Sequence, residues 1–393
     1  AASTSGAPRP AANLKKAATN RMITIKEAKT RAELKDFVKF SFDLYKGNPY
    51  WVPPLINDEL EEFNKEKNPV FNHAEAKFYL AYKDGKIAGK VAAIINWQEI
   101  NDQNVKKVRF GWFDFIDDLE VSKALLDKVF EYGREHNLEY AEGPMGFSNL
   151  DKVGVLTEGF NEVGTMITWY NYPYYMEHLQ KLGFTIEKEY RESIFSFNDV
   201  DPAPFQKASA LIKKRYKLHT VEFKSTKEVM PYVDKMFALF NKTYEKLSSF
   251  VAISDIQIEY FKKKYIGLIN PDYIKFIEDE DKNLIAFTIV MPSFTEALIK
   301  AKGKLFPFGF IHLLRAKNNS RDVVFYLIGI DPEYQNKGVT AIIFEDFYKV
   351  FQKNNIRHCI RTPELETNHA MNNLWKNFNP KIHKRRKTYR KDL

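Results

Sequence analysis

Read for its spacing of apolar and polar positions, the chain alternates between runs of period two and runs of helical period. Residues 22–28 alternate as a strand, and Thr30 is placed to cap a helix over 31–46 whose Leu34, Phe37, Val38, Phe42 and Tyr45 share one face. A stiff aromatic loop at 48–54 and an acidic helix near 57–65 follow. Strands are predicted at 76–83 and 86–96, joined by Asp84-Gly85, a dipeptide suited to the left-handed turn of a tight hairpin. A strand at 107–115, a helix at 120–137, a strand at 139–142 and a helix at 172–182 come next. Gly183 stops that helix, and 185–197 closes this part of the chain as one or two strands.

The polar, proline-containing stretch 198–204 reads as a linker, after which the same order recurs. Helices are expected near 205–215, 227–244 and 256–264, and strands at 273–278 and 284–290. A long excursion over 293–320 precedes a strand at 323–330, a helix at 341–354, a strand at 357–361 and a helix at 368–377. The division is therefore a tail (1–21), a first lobe (22–197) and a second lobe (198–393). The fold class is α+β (mixed α/β), each lobe a mostly antiparallel twisted sheet flanked by helices.

The turn between strand 323–330 and helix 341–354 carries the most chemistry. Pro332 ends the strand because it has no amide for a ladder. YQNKGVT at 334–340 then opens a helix, leaving unpaired amides at the positive end of its dipole. Gly338 lets backbone approach a phosphate without a Cβ, and Lys337 adds a positive charge. The two halves can be overlaid through LLDKVFEYGREHNL (125–138) and IFEDFYKVFQKNNI (343–356), which sets Asp117 opposite Gln335 and Glu120 opposite Gly338. Carboxylates repel a diphosphate, so the anion site is expected in the second half and a degenerate one in the first. The first half has instead a long glycine-containing loop, 143–168, where the second has only 362–367. It reads as an ordered substrate loop, with a purely structural Ω-loop as the alternative.

Composition narrows the class. At 393 residues, 44% hydrophobic and 28% charged, the chain is long enough for two cores and has no apolar run of membrane-spanning length. The single cysteine, Cys359, lies in a predicted buried strand and fits a reducing compartment and an inert core thiol. A net charge of +9 favours anionic partners without choosing among a coenzyme, nucleic acid or a lipid surface. Residues 1–21, rich in Ala, Ser and Pro, read as a vector-derived or disordered tail.

The order strand, Pro, Tyr, Gln-x-x-Gly-x-small, helix resembles the pyrophosphate loop of the GNAT N-acyltransferase superfamily, with Thr340 where Gly or Ala is usual. The phrases NPYWVPPL (48–55), NPVFNHAEAKFYLA (68–81), GVLTEGF (154–160) and YPYYMEHLQKLGF (172–184) extend the likeness to a two-lobed bacterial branch that includes bacterial ceramide synthases. The resemblance runs from about residue 24 to the end. It implies a cytoplasmic, coenzyme-A-dependent N-acyltransferase that moves an acyl group from a thioester to a primary amine, a long-chain sphingoid-like amine being the preferred acceptor. It further implies that Leu327, Ile328, Gly329 and Ile330 offer backbone to the thioester, and that this strand and 357–361 splay apart to admit the pantetheine arm. Gln335, Asn336, Lys337, Gly338, Val339 and Thr340 would hold the diphosphate, and Asn368 matches the superfamily's early helix Asn. The usual proton-donating Tyr is Trp375 here, and indole is no acid, so Trp375 reads as core.

For the general base the candidates are carboxylates: Glu364 or Glu366 beside the end of strand 357–361, or Asp151 or Glu158 on the first-half loop reaching across. His73, His219 and His312 are weaker candidates. The eight histidines show no metal-binding spacing, so no metal is expected. GKLFPFGFIHLLR (303–315), flanked by lysines, reads either as a lining for an alkyl chain, as a contact with the inner membrane surface, or as an excursion packed on its own lobe. The basic stretch 381–391 reads as a charged edge strand, or else as an attractor of phosphate or anionic lipid. Two other functions stay open: an aminoacyltransferase fed by charged transfer RNA, and a non-catalytic acyl-coenzyme-A or lipid binder. Specific nucleic-acid binding is not expected on the leading reading.

Overall fold

The computed structural model describes residues 22–247 and 250–393, so the tail expected at 1–21 lies outside the described residues. Fourteen strands form one sheet: β1 (Thr24–Glu27), β2 (Ala74–Lys83), β3 (Lys86–Asn96), β4 (Lys107–Phe115), β5 (Tyr140–Gly143), β6 (Val155–Glu158), β7 (Thr185–Ser196), β8 (His219–Val221), β9 (Ile274–Glu278), β10 (Leu284–Pro292), β11 (Asp322–Ile330), β12 (His358–Arg361), β13 (Glu364–Leu365) and β14 (Lys381–Asp392). The order across the sheet is β1-β2-β3-β4-β5-β14-β7-β12-β11-β10-β9-β8, with β6 on β14 and β13 on β7. Among the described residues only β4–β5 and β11–β12 pair in parallel. Each half thus has one parallel pair joined by a helix-connected crossover and is otherwise antiparallel, in keeping with the mostly antiparallel sheet expected.

Local chemistry explains the principal helices. Thr30 accepts a hydrogen bond from the Glu33 amide and starts Arg31–Leu44, whose Phe37 and Val38 bury against β2 and β3. Leu119–Glu135 lays Val121, Leu125, Leu126 and Val129 on the opposite face of the same strands. In the second half Thr340–Lys353 buries Ile342, Ile343, Phe347 and Phe351 on one face of the sheet. Thr226–Tyr244 buries Val233, Phe237 and Phe240 on the other. Each such fully buried side chain contributes roughly 1.5–3 kcal/mol. The 293–320 excursion is helical, as Thr295–Ala301 and Gly309–Asn319, and a short helix at Trp97–Gln103 lies between strands where the pattern gave none. Cys359 is fully buried, and burial raises its thiol far above the ordinary value, as an inert core thiol requires.

The basic closing segment corrects the edge-strand expectation. β14 runs in the middle of the sheet, antiparallel to β5 on one side and to β7 on the other. Lys384, Arg386 and Thr388 are buried on it. Buried charge needs partners, and each side chain has one: Arg386 Nε donates to Glu192 at 2.7 Å, Lys384 Nζ to the Val163 carbonyl at 2.8 Å, and Thr388 Oγ1 to Glu142 at 3.0 Å. Burial alone would raise the Glu142 carboxyl, but the ammonium groups of Lys107 and Lys188 hold it down at about 2. With these residues neutralised inside the sheet, they are not available to a coenzyme phosphate or a lipid headgroup. The strand that a division at residue 197 assigns to the second half therefore completes the sheet of the first.

Candidate active site

β11 and β12 pair only over Asp322–Phe325 and His358–Arg361, after which β11 continues against β10 alone. The splay is sharpened by a bulge. Ile289 faces Leu327 and Val290 faces Phe325, so Tyr326 has no partner on β10 and the local twist increases. Between the parted strands lies a cavity of about 190 Å³. One wall is Phe325, Tyr326, Leu327 and Ile328, and the other is Arg361, Thr362, Pro363, Glu364 and Leu365. Asn368, Met371 and Trp375 close its floor, Phe240 and Tyr244 approach from the helix Thr226–Tyr244, and Leu247 from the turn after it.

The first half has the same splay and fills it with its own chain. β4 and β5 pair only over Lys107–Arg109, and β4 then bulges at Trp112 and Phe113. There the 143–168 loop lies directly on the strand: the Met145 amide donates to the Phe110 carbonyl at 2.8 Å. A Cβ on Gly111 would stand 2.2 Å from the Met145 carbonyl oxygen, so only glycine permits this approach. Beyond Met145 the loop crosses to the other half. Ser148, Asn149, Leu150 and Asp151 roof the second-half cavity, with the Tyr326 hydroxyl 3.4 Å from the Leu150 carbonyl. The loop is held from below by buried charge, because Arg109 binds Glu99 through two nitrogens (3.0 and 2.6 Å) and donates its third to the Gly146 carbonyl at 3.1 Å.

The turn after β11 is exposed, and its Lys337 amide donates back to the Tyr334 carbonyl at 3.3 Å. Gln335, Asn336, Lys337 and Gly338 are exposed, and Asn336 and Gly338 have φ of +62° and +78°. The helix that follows begins at Thr340, and Val339 at its cap makes no side-chain hydrogen bond. The ammonium of Lys337 lies over the rings of Tyr216 and Tyr334 at 5.4 and 5.1 Å, which holds it beside the turn. In the first half the matching helix end is occupied: Asp118 accepts from the Glu120 amide at 3.0 Å and pairs with Lys83, and Asp117 meets His178 at 2.7 Å. The carboxylates that fill the first turn have no counterpart in the second, where Lys337 and Gly338 stand instead.

The proposed site residues separate clearly by position. Leu327, Ile328, Glu364, Asp151 and Asn368 all line the cavity. Gly329 and Ile330 lie further along β11. A Cβ on Gly329 would stand 2.3 Å from the Phe287 ring, so that glycine serves packing. Glu364 is engaged by Arg361, whose guanidinium also covers the Trp375 ring at 4.7 Å. Glu366 and Glu158 both pair with Arg385 and are not among the residues lining the cavity. Asn368 caps the helix His369–Leu374, accepting from the Met371 amide at 3.3 Å. Trp375 is 1% exposed and packs among Phe325, Phe344 and Phe378 as a core residue.

Asp151 has a distinct environment. Its carboxylate accepts from the Ser148 amide at 2.9 Å, yet burial raises it above the ordinary carboxylate value, against the opposing pull of those amides and of Arg109. Beside it, at the end of the helix Ile56–Glu62, stands a second acid that the sequence did not single out. Burial first, then the carboxylates of Asp151 and Glu59, push Glu62 up to about 8. A carboxyl raised in the fold stabilises the native state least when it is ionised, so this penalty grows as pH rises from about 4.5 towards 8. Glu62→Gln is therefore expected to raise the melting temperature above pH 8 and to leave it unchanged near pH 4, measured by thermal unfolding across that range. Tyr190, Tyr244 and Tyr326 also line the cavity unanticipated, each raised above the ordinary phenol value by burial and so protonated at neutral pH. No motif marks them, and only their place in the fold does.

This is the tandem GNAT fold. Aligned structurally, a tandem GNAT protein from the clavulanic acid biosynthesis pathway covers 94% of this chain and 98% of its own, with a TM-score of 0.55 at 11% identity. In sequence the chain is similar to protein YghO of Escherichia coli (strain K12), 26% identical over 368 residues, or 92% of this chain and 93% of that protein. It is also similar to the bacterial ceramide synthase of Caulobacter vibrioides (strain NA1000 / CB15N), 24% identical over 302 residues, or 75% of this chain and 77% of that one. No family model matches the chain.

Proposed function

We propose that the chain is an acyl-coenzyme-A-dependent N-acyltransferase acting on a primary amine, with catalysis in the second half and the first half supplying the Asp151 loop. The observation that carries this reading is the open wedge between β11 and β12, roofed by Asp151 and leading along β11 to an uncapped, exposed turn at Gly338. A thioester laid in the wedge places its carbonyl against the backbone of Leu327–Ile330 at the bulge, and its diphosphate against 335–340 and Lys337. The amine nitrogen attacks the carbonyl carbon and gives its proton to Asp151. The carbon–sulfur bond then breaks, and the thiolate leaves with a proton passed through one of the cavity's phenols, which regains it from the protonated Asp151. Because the base acts ionised, the rate falls as pH drops through the raised value of Asp151.

A long-chain amine is the acceptor this reading favours. Met145, Ile167, Phe240, Leu247 and Met371 give the cavity an apolar lining, and one similar protein carries the name ceramide synthase. The test is release of free thiol from acetyl- and palmitoyl-coenzyme A with short- and long-chain amines. Asp151→Asn is expected to lower kcat about a hundredfold or more while coenzyme affinity is retained. Tight binding without turnover by the wild type would make the protein an acyl carrier, and full activity in the variant would remove Asp151 from the mechanism.

A further inference from the structure

We propose that the helical excursion between β10 and β11 docks the protein on the surface of an anionic lipid bilayer. The turn joining Thr295–Ala301 to Gly309–Asn319 is tight, because the Phe310 amide donates to the Leu305 carbonyl at 2.7 Å and a Cβ on Gly309 would stand 2.0 Å from the Lys304 carbonyl oxygen. Its tip turns outward what a core would take in: Phe306 is 69% exposed, Phe308 67% and Leu314 55%. Large apolar side chains turned outward together on one excursion, with the rings of Phe306 and Phe310 5.5 Å apart, mark a contact surface. Its charge says with what. Residues 295–319 carry Lys300, Lys302, Lys304, Arg315 and Lys317 against the single acid Glu296. Aromatic wedges rimmed by ammonium groups suit the boundary between acyl chains and anionic headgroups, where rings insert and lysines meet phosphate. Among the described residues no helix is long and apolar enough to cross a membrane, so the contact is interfacial.

The element is fixed to the rest of the molecule at its base. The Ile56 amide donates to the Gly303 carbonyl at 2.9 Å, and Gly303 packs against the Phe42 ring. Thr295 Oγ1 donates to the Gly164 carbonyl at 3.2 Å, on the same 143–168 loop that roofs the cavity. A lipid amine taken from the bilayer would thus enter beside the loop that carries Asp151. Binding to the bilayer follows from the tip alone, whereas this delivery role rests on the long-chain amine reading above.

The test is co-sedimentation of the full chain with phosphatidylcholine vesicles, with and without phosphatidylglycerol, for the wild type and Phe306→Ser/Phe308→Ser. The wild type is expected to bind the phosphatidylglycerol vesicles, less so at high salt, and the double variant to lose about tenfold or more in partitioning. Thiol release with a soluble short-chain amine should be equal in both. Absence of wild-type binding, or equal binding by the variant, overturns the proposal. So does a wild-type dimer that the double substitution converts to monomer, which would make the tip a self-association face. If instead the wild type binds vesicles but releases no thiol with any amine, the docking stands and the transferase reading fails.

Discussion

Replacing Gly338 by glutamate is expected to lower kcat/KM for an acyl-coenzyme A at least about a thousandfold without unfolding the protein. A thousandfold loss corresponds to about 4 kcal/mol, and two terms supply it. Gly338 has φ of +78°, a conformation that costs an L residue roughly 1–2 kcal/mol. A carboxylate about 5 Å from a diphosphate adds roughly 3 kcal/mol of repulsion for each phosphate charge at the effective dielectric of a protein surface. The fold should survive, because the new Cβ would meet only the end of the Ile212 side chain, at 3.0 Å. Gly338→Ala isolates the strain and is expected to cost about tenfold. Steady-state kinetics and coenzyme titration of both variants, with thermal unfolding as control, check this. Undiminished turnover in the glutamate variant would move the diphosphate away from 335–340.

Deletion of residues 381–393 is expected to abolish soluble expression. It strips β5 and β7 of the strand between them and leaves Glu192 buried without Arg386. Breaking that ion pair alone, as Arg386→Ala does, should cost about 3–5 kcal/mol in denaturant unfolding, while a whole domain is stable by only about 5–15 kcal/mol. The 143–168 loop would be released as well, since Lys384 and Arg386 hold the carbonyls of Val163 and Trp169. A truncated chain that stays soluble and unfolds cooperatively would show that β14 is dispensable.

The sequence was most informative where an element is fixed by its own neighbours. The Asp84-Gly85 hairpin, the Thr30 cap and the apolar stripe of Thr340–Lys353 depend on residues a few positions apart, and each was legible. The strand–turn–helix around Gly338 was legible for the same reason. The place of β14 was not, because its Arg386 pairs with Glu192, 194 positions away, and its Thr388 bonds Glu142, 246 positions away. Read locally, a run of Lys and Arg belongs in water. Likewise the glycines of 143–168 announced an ordered loop but not where it lands, since Gly111 and Gly143 owe their identity to contacts across the splay. Tyr244, which lines the cavity, and Glu62, whose carboxyl feels that of Asp151, stand at the ends of otherwise ordinary helices, which no spacing rule distinguishes.

The position of β14 also bears on how the molecule is made. A ribosome delivers the amino-terminal half first, and that half emerges with β5 and β7 awaiting a neighbour translated only after β8–β13. Until β14 emerges, two strand edges stand open in the crowded cell, where nascent chains of any kind can add to them. Shielding of those two edges before β14 arrives is therefore a condition for good yield.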